Sequence, residues 1–202
     1  MKLCVIGGAG ARSAFLTKSL VKSARDIRVD HIVLLDNDQQ KLKTYGEISR
    51  ELARRLDPDL TFEVTSDARA ALTGVDYIIT TIRAGEDAGR LFDEQTCLAH
   101  GVLGQETTGA GGFAMAIRSV PTLVYYCTLA REVANPGHLI FNFTNPSGII
   151  TQALRSKGFD NVYGICDAPS GFIKQLEEIL EIPYGTLDIE CYGLNHLSWL
   201  RN

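Results

Sequence analysis

Six short runs of the chain are apolar almost throughout: KLCVI (2–6), HIVLL (31–35), TFEVT (61–65), DYIITTI (76–82), HLIFNF (138–143) and NVYGIC (161–166). A strand with one wet face alternates polar and apolar residues, whereas strands buried on both faces read as continuous apolar runs, and sheets of that kind are parallel. Parallel strands need long return connections, and the intervening stretches supply helical patterns. Over 38–56, Leu42, Tyr45, Ile48, Leu52 and Leu56 recur at three- and four-residue steps, which predicts a helix buried along that stripe. A longer helix is expected over 113–134, kinked or broken at Pro121. LEEILEI (176–182) predicts a last helix, and LDIECYGL (187–194) a strand that enters something new. The sum is an α/β fold, a doubly wound, mostly parallel, Rossmann-like sheet with its ligand crevice beyond the carboxyl ends of the strands.

Chemically suggestive residues gather at those ends. Gly7 to Ser13 follow the first run, Asp36 the second, Arg83 to Arg90 the fourth, Asn142 to Asn145 the fifth, and Cys166–Asp167 the sixth. Composition narrows what they could serve. With 202 residues, 45% of them hydrophobic, the chain can bury a sizeable core. A formal net charge of −4 gives no electrostatic footprint for nucleic acid or an anionic membrane, and SRELARR (49–55) reads as a solvated helix face. The five cysteines are odd in number, scattered and without a C-x-x-C pair, which points to a reducing compartment. The opening MKLCVIGG enters a strand at once, leaving no room for a signal peptide, and no apolar run reaches bilayer-spanning length, so a cytoplasmic location is expected.

In GGAGARS (7–13), Gly8 and Gly10 supply the first part of a dinucleotide fingerprint, with Ala11 and Arg12 opening the helix and Ser13 where a third glycine is usual. Backbone amides there can hold a pyrophosphate at a helix N-terminus; the plain alternative is an ordinary strand-to-helix turn. Asp36 is placed to accept hydrogen bonds from a ribose 2′-hydroxyl, favouring NAD over its phosphorylated form, although it lies further along than the usual interval of about 20 residues. Asp38 can serve as N-cap of the next helix. GVLGQETTGAGG (101–112) reads as a glycine-dense loop around Glu106. Asn142 and Asn145 in FNFTNP could hold sugar or nicotinamide-ribose hydroxyls, with a turn-forming Asn-Pro as the bland alternative for Asn145. Cys166, with His196 in YGLNHLSW, could belong to an open metal site completed by substrate oxygens; each could equally be a satisfied packing residue.

The ordered set VIGGAGARS, IRAGEDAGRLFDEQ, GVLGQETTGAGG, FNFTNPSG, GICDAP and GLNHLSW resembles the NAD-dependent glycoside hydrolases of family 4, in particular their 6-phospho-glucosidases. The resemblance implies a first domain like that of lactate and malate dehydrogenases, and hydrolysis of O-glycosidic bonds by oxidation, elimination, addition and reduction with NAD and a divalent metal such as Mn²⁺. Such enzymes stand outside the two-carboxylate scheme of most glycosidases. Residue by residue it implies Cys166 and His196 as metal ligands and Asp167 as proton donor to the leaving group. Arg90, Asn145 and Asn195 would bind substrate. Glu106 would support a catalytic tyrosine, the counterpart of which is expected beyond Asn202, so the 202 residues alone are expected to be inactive. It further implies a phosphorylated disaccharide or glucoside as substrate, with a leaning to β linkage, and a homo-oligomer (dimer or tetramer). Residues 1–185 would form the NAD-binding domain and 186–202 the start of a further one. The alternatives are a 6-phospho-α-glucosidase or α-galactosidase of the same family, an NAD-dependent 2-hydroxy-acid dehydrogenase, and a non-catalytic NAD-binding module.

Overall fold

A computed structural model describes residues 1–194 and 197–201, the side chain of Leu194 excepted. Six strands form one sheet: β1 (Lys2–Ile6), β2 (His31–Leu35), β3 (Thr61–Thr65), β4 (Tyr77–Thr80), β5 (Leu139–Asn142) and β6 (Val162–Gly164). Their order is β3-β2-β1-β4-β5-β6 and every pairing is parallel. This is the doubly wound Rossmann order, in which the chain reverses direction across the sheet between β1 and β4.

The continuous apolar runs follow from cover on both faces. On one side Cys4, Ile6, Val33, Leu35 and Ile78 pack with Leu123, Cys127 and Ala130 of α6 (Gly109–Val133) and with Ile150 and Leu154 of α7 (Ser147–Ser156). On the other, Leu3, Val5, Ile32 and Leu34 pack with Val21 of α1 (Ser13–Ser23) and Ala53 of α3 (Glu47–Leu56). Ile32, Leu34, Leu72, Leu123, Ile150 and Leu154 are fully buried, each worth about 2 kcal/mol in transfer terms.

Three sequence expectations need correction. The stretch 38–56 is helical, as α2 (Gln39–Lys41), a π turn at Leu42–Gly46, and α3, but of the expected large-residue stripe only Leu42 is buried, with Leu52 half-buried. Ile48 is 53% exposed and Tyr45 and Leu56 also lie open, while Leu42, Gly46, Ser49 and Ala53 face inward. The π turn shifts the phase, and small residues bring the backbone close to the sheet: a Cβ on Gly46 would sit 2.6 Å from Val64 Cγ1. Second, α6 begins at Gly109, absorbing the end of the glycine-dense segment, and runs unbroken through Pro121. Pro121 is exposed, so the hydrogen bond it forfeits lies towards water while Leu123 and Cys127 hold the helix to the core. Third, α6 does reach membrane-spanning length and apolarity; its buried stripe on the sheet is what uses that apolarity.

Two further helices lie beside β4: α4 (Ala68–Leu72) before it and α5 (Glu86–Ala99) after it. The chain divides into two compact units, Met1–Gly164 and Ile165–Asn202, compared with an expected boundary after residue 185. The second unit holds α8 (Ala168–Ile179), which starts well before the expected 176, and an antiparallel hairpin of β7 (Glu190–Leu194) and β8 (Leu197–Arg201). Within it the Glu177 carboxylate accepts the Leu187 amide at 2.9 Å; bonds from the Leu187, Gly185 and Thr186 amides hold its pKa down.

Candidate functional site

The turn after β1 is pinned to β2, since the amides of Gly7 and Gly8 both donate to Leu35 O, at 2.8 and 3.0 Å. Gly7 takes φ +81°, and a Cβ there would lie 2.7 Å from Thr81 O. Gly8 is equally enclosed, 2.9 Å from Val5 O and 3.0 Å from Leu34 Cβ. Gly10 differs: an added Cβ would meet nothing within 4 Å. Ala11 and Arg12 are exposed, and the Arg12 side chain at the N-cap makes no bond to the first turn of α1. Uncommitted amides at a helix N-terminus suit an anion. Ser13 is buried and turned inward, its hydroxyl donating to Gly10 O at 2.5 Å.

Asp36 braces this turn. Its Oδ2 accepts the Ala9 amide at 3.1 Å and its Oδ1 accepts the Asp38 amide at 3.1 Å. Each carboxylate oxygen can accept a second bond, so the group keeps capacity for a hydroxyl. Asp38 caps the next helix as its position suggested, accepting from Gln40 and Lys41 amides; the Lys41 amide bond first of all holds its pKa below the ordinary value.

Beyond β4, Gly85 and Glu86 both take left-handed backbone (φ 83° and 51°) and turn the chain into α5. Arg83 and Arg90 flank Glu106: their guanidinium nitrogens lie 3.4 and 3.9 Å from Glu106 Oε2. Neither contact has hydrogen-bond geometry, so Oε2 is buried with ion-pair neighbours but no hydrogen bond. Arg90 Nε donates to Glu94 Oε1 at 2.6 Å; that bond first, then the Glu106 charge, raises its pKa. Gln105 folds the turn by accepting the amides of Thr107 and Thr108, each at 2.6 Å. Gly104, Gly111 and Gly112 are squeezed: added Cβ atoms would lie 2.7 Å from Glu94 Cα, 2.6 Å from Gln105 O and 2.6 Å from Thr107 O.

At the end of β5 the reading of Asn142 as a ligand-holding residue is overturned. It is fully buried, its Oδ1 accepts from Thr80 Oγ1 at 2.8 Å, and its amide group donates to Thr144 O and Thr151 Oγ1, each at 3.3 Å. Thr144 in turn accepts the Ile82 amide at 3.1 Å, so the network ties the ends of β4 and β5. Asn145 is half-buried and joined to Pro146 by a cis peptide bond.

In the second unit Cys166 and Asp167 are both exposed, just before α8. Cys166 Sγ accepts a long bond from the Ala168 amide at 3.5 Å, and Asp167 uses its backbone carbonyl to take the Ser170 hydroxyl and the Gly171 amide. Asn195 and His196 lie outside the described residues. Among the described residues no three His, Cys, Asp or Glu side chains gather as a metal cluster. Sequence reasoning missed Gln105 and Arg118, a residue of α6 that reaches the turn at Gly85. Neither has a local signal, since each acts on another segment or on backbone.

A family model described as Family 4 glycosyl hydrolase matches residues 2–182. A curated 6-phospho-beta-glucosidase, BglT of Thermotoga maritima, is 35% identical across all of this chain, which covers 48% of that protein. The structure of the 6-phospho-beta glucosidase from Thermotoga maritima with NAD and glucose-6-phosphate superposes with a TM-score of 0.90 at 33% identity, covering 99% of this chain and 47% of that one. A 6-phospho-alpha-glucosidase from gut microorganisms, in complex with NAD and Mn²⁺, gives 0.91 at 31% identity over 98% of this chain and 46% of its own. A malate dehydrogenase from Naegleria fowleri, at 13% identity and a TM-score of 0.70, shares the fold alone. The chain spans about half the length of the curated relatives it matches. With the family model running over nearly all of it and a relative 35% identical along its whole length, this chain belongs to family 4 of the glycosyl hydrolases.

Proposed function

We propose that the chain is the dinucleotide-binding part of an NAD-dependent 6-phospho-glucosidase, acting on β-linked substrates. The observation that carries the reading is the turn at Gly10. It is open where a protein contact would otherwise account for a glycine, stands beside an uncapped helix N-terminus, and is braced by an acidic side chain at the end of β2. The residues therefore fit NAD: amides of Gly10, Ala11 and Arg12 for the pyrophosphate, Asp36 for the ribose hydroxyls. Bound NAD⁺ would supply the capacity to take a hydride from the sugar ring.

The remaining roles belong to this chain's side chains. Arg90, with Asn145 and Asn195, orients the phosphorylated sugar. Glu106, lodged between Arg83 and Arg90, helps set the charge of the site and supports the base that removes a ring proton. Asp167, exposed at the head of α8, gives a proton to the departing glycosidic oxygen. Cys166 and His196 are donor types that suit a divalent ion such as Mn²⁺, and Cys166 is exposed and able to bind one. Among the described residues Cys166 is not part of a group of three or more His, Cys, Asp or Glu side chains. A homo-oligomer in the cytoplasm belongs to the same proposal, supported by exposed Phe92, Leu103 and Phe113 around α5 and the start of α6.

Calorimetry with NAD⁺ and NADP⁺ tests the reading. Expected is micromolar-range NAD⁺ binding with at least ~10-fold preference over NADP⁺, because Asp36 repels a 2′-phosphate, and a narrowed preference in Asp36→Ala. Equal affinity for the two cofactors overturns it. The β linkage is tested by comparing hydrolysis of p-nitrophenyl 6-phospho-β- and α-glucosides by an enzyme of the relatives' full length that contains this chain; a faster β reaction is expected and a faster α reaction refutes it.

A further inference from the structure

Arg118 sits two turns into α6, outside every motif that carries the family resemblance. Its guanidinium forks onto Asp93, with Nη1 donating to Oδ1 at 3.0 Å and Nη2 to Oδ2. Asp93 is only 8% exposed, so its charge has been brought out of water for this partner. The third arm, Nε, donates to the carbonyl of Ala84 at 3.2 Å. The same group lies flat on two glycines. A Cβ on Gly85 would come 3.0 Å from Arg118 Nε, and one on Gly89 3.4 Å from it. A free arginine tip could swing aside, but this one is held at both ends and adds to the demand for glycine that the left-handed backbone of Gly85 already makes, while at Gly89 a methyl would meet it at ordinary contact distance.

Gly85, Gly89 and Asp93 fall at four-residue steps and share one face of α5 and its approach. Arg83 and Arg90 are mounted on the same short segment. The opposing group, Glu106, is mounted on α6 as well, because the Gln105–Thr108 turn is pressed onto the first turn of that helix at Gly111 and Gly112.

We propose that Arg118 is a positioning residue for sugar-phosphate binding: it fixes the segment bearing Arg83 and Arg90 to the helix that also carries the Glu106 turn, and so sets the distance between the arginines and Glu106. Three hydrogen bonds from one planar group are not interchangeable with a point charge, and lysine cannot reach both carboxylate oxygens and the Ala84 carbonyl together. The inference rests on the proposed reading of Arg90 as a substrate contact, but the clamp itself does not.

The test compares the parent chain with Arg118→Ala and Arg118→Lys, with NAD⁺ and Mn²⁺ present and glucose 6-phosphate as the probe. Three quantities are read: NAD⁺ affinity, glucose 6-phosphate affinity, and amide exchange over 84–90. Expected in Arg118→Ala is at least ~10-fold weaker sugar-phosphate binding, NAD⁺ affinity within ~2-fold of the parent, and at least ~10-fold faster exchange at 84–90. Arg118→Lys should fall between, and millimolar guanidinium should restore much of the sugar-phosphate affinity of Arg118→Ala, which a general loss of folding would not permit. If Arg118→Ala does not fold, Asp93→Asn, which keeps the volume and removes the charge, takes its place. Unchanged exchange at 84–90, or parallel loss of both ligands without guanidinium rescue, overturns the proposal. A parent that binds NAD⁺ but no sugar phosphate, with exchange still raised by Arg118→Ala, refutes the substrate role and leaves the clamp standing.

Discussion

Two glycine-rich segments, the turn after β1 and the entry to α6, contain glycines that stand there for opposite reasons. In the turn after β1, Gly10 faces open space, so nothing in the protein forbids a side chain there. At the entry to α6, Gly104 before the helix and Gly111 and Gly112 in its first turn are pressed against backbone at 2.6 to 2.7 Å, so a methyl group has nowhere to go. One glycine leaves open space, which the proposed cofactor would use; the others let two stretches of main chain close on each other around Glu106. Glycine density is therefore not one signal but two, separable only by asking what a Cβ would touch.

The largest expected effect comes from Gly112→Ala. Its methyl would collide with the Thr107 carbonyl group, which is backbone and cannot rotate away, and urea denaturation should show a loss of about 3 kcal/mol. A change within about 0.5 kcal/mol would show that the Glu106 turn yields easily and would erase the contrast. Gly8→Ala should cost less, about 2 kcal/mol, since its nearest neighbours stand at 2.9 to 3.1 Å and include the Leu34 side chain. Gly10→Ala should do the reverse of both: stability within about 0.5 kcal/mol of the parent, with NAD⁺ affinity lowered about 10-fold, or about 1.4 kcal/mol, by calorimetry. Unaltered NAD⁺ binding in Gly10→Ala would remove the ligand from that turn.

The smallest effect is a control at the opposite end of the sheet. Asp76 accepts from Asn135 Nδ2 at 2.8 Å and from the Lys2 amide at 2.8 Å, and these bonds, the Asn135 one first, hold its pKa below the ordinary value. Its folded pKa lies under its unfolded one, so the stabilisation is complete above an unfolded value of about 3.9 and fades as pH falls through the folded value. Asp76→Asn should flatten the acid limb of a stability–pH curve below about pH 4 and leave NAD⁺ affinity untouched. An acid limb identical to the parent's would show that these bonds do not favour the charged form.

β1 and β2 were legible because burial on both faces writes itself into nearly every residue of a run; β3 to β6 are less completely buried, yet their runs are rich enough in strand-forming residues that each run contains its strand. Asp38 was legible as a cap because capping is local. The 38–56 stripe was not, because a single π turn rotates every later side chain and the inward positions went to Gly46, Ser49 and Ala53, which carry no hydrophobic signal. Asn142 looked like a ligand because strand ends in this fold face the crevice; what sequence could not show is that Thr80, Thr144 and Thr151 would converge to consume its amide. Arg118 and Asp93 belong to different helices, and a pair so placed leaves no spacing to recognise.

The strand order has a consequence for synthesis. Of the six strands of the sheet β1 leaves the ribosome before the others and occupies the middle, with Leu3 beside Ile32 on one flank and Tyr77 on the other. The first flank closes early, but the second stays unpaired until β4 has emerged, and no hairpin within the sheet can cover it in the meantime. Nascent chains should therefore pass through a stage with a bare edge of almost wholly apolar strand, the kind of surface that recruits chaperones or aggregates. Slower translation between β2 and β4 would prolong that exposure, whereas slowing after β4 would not.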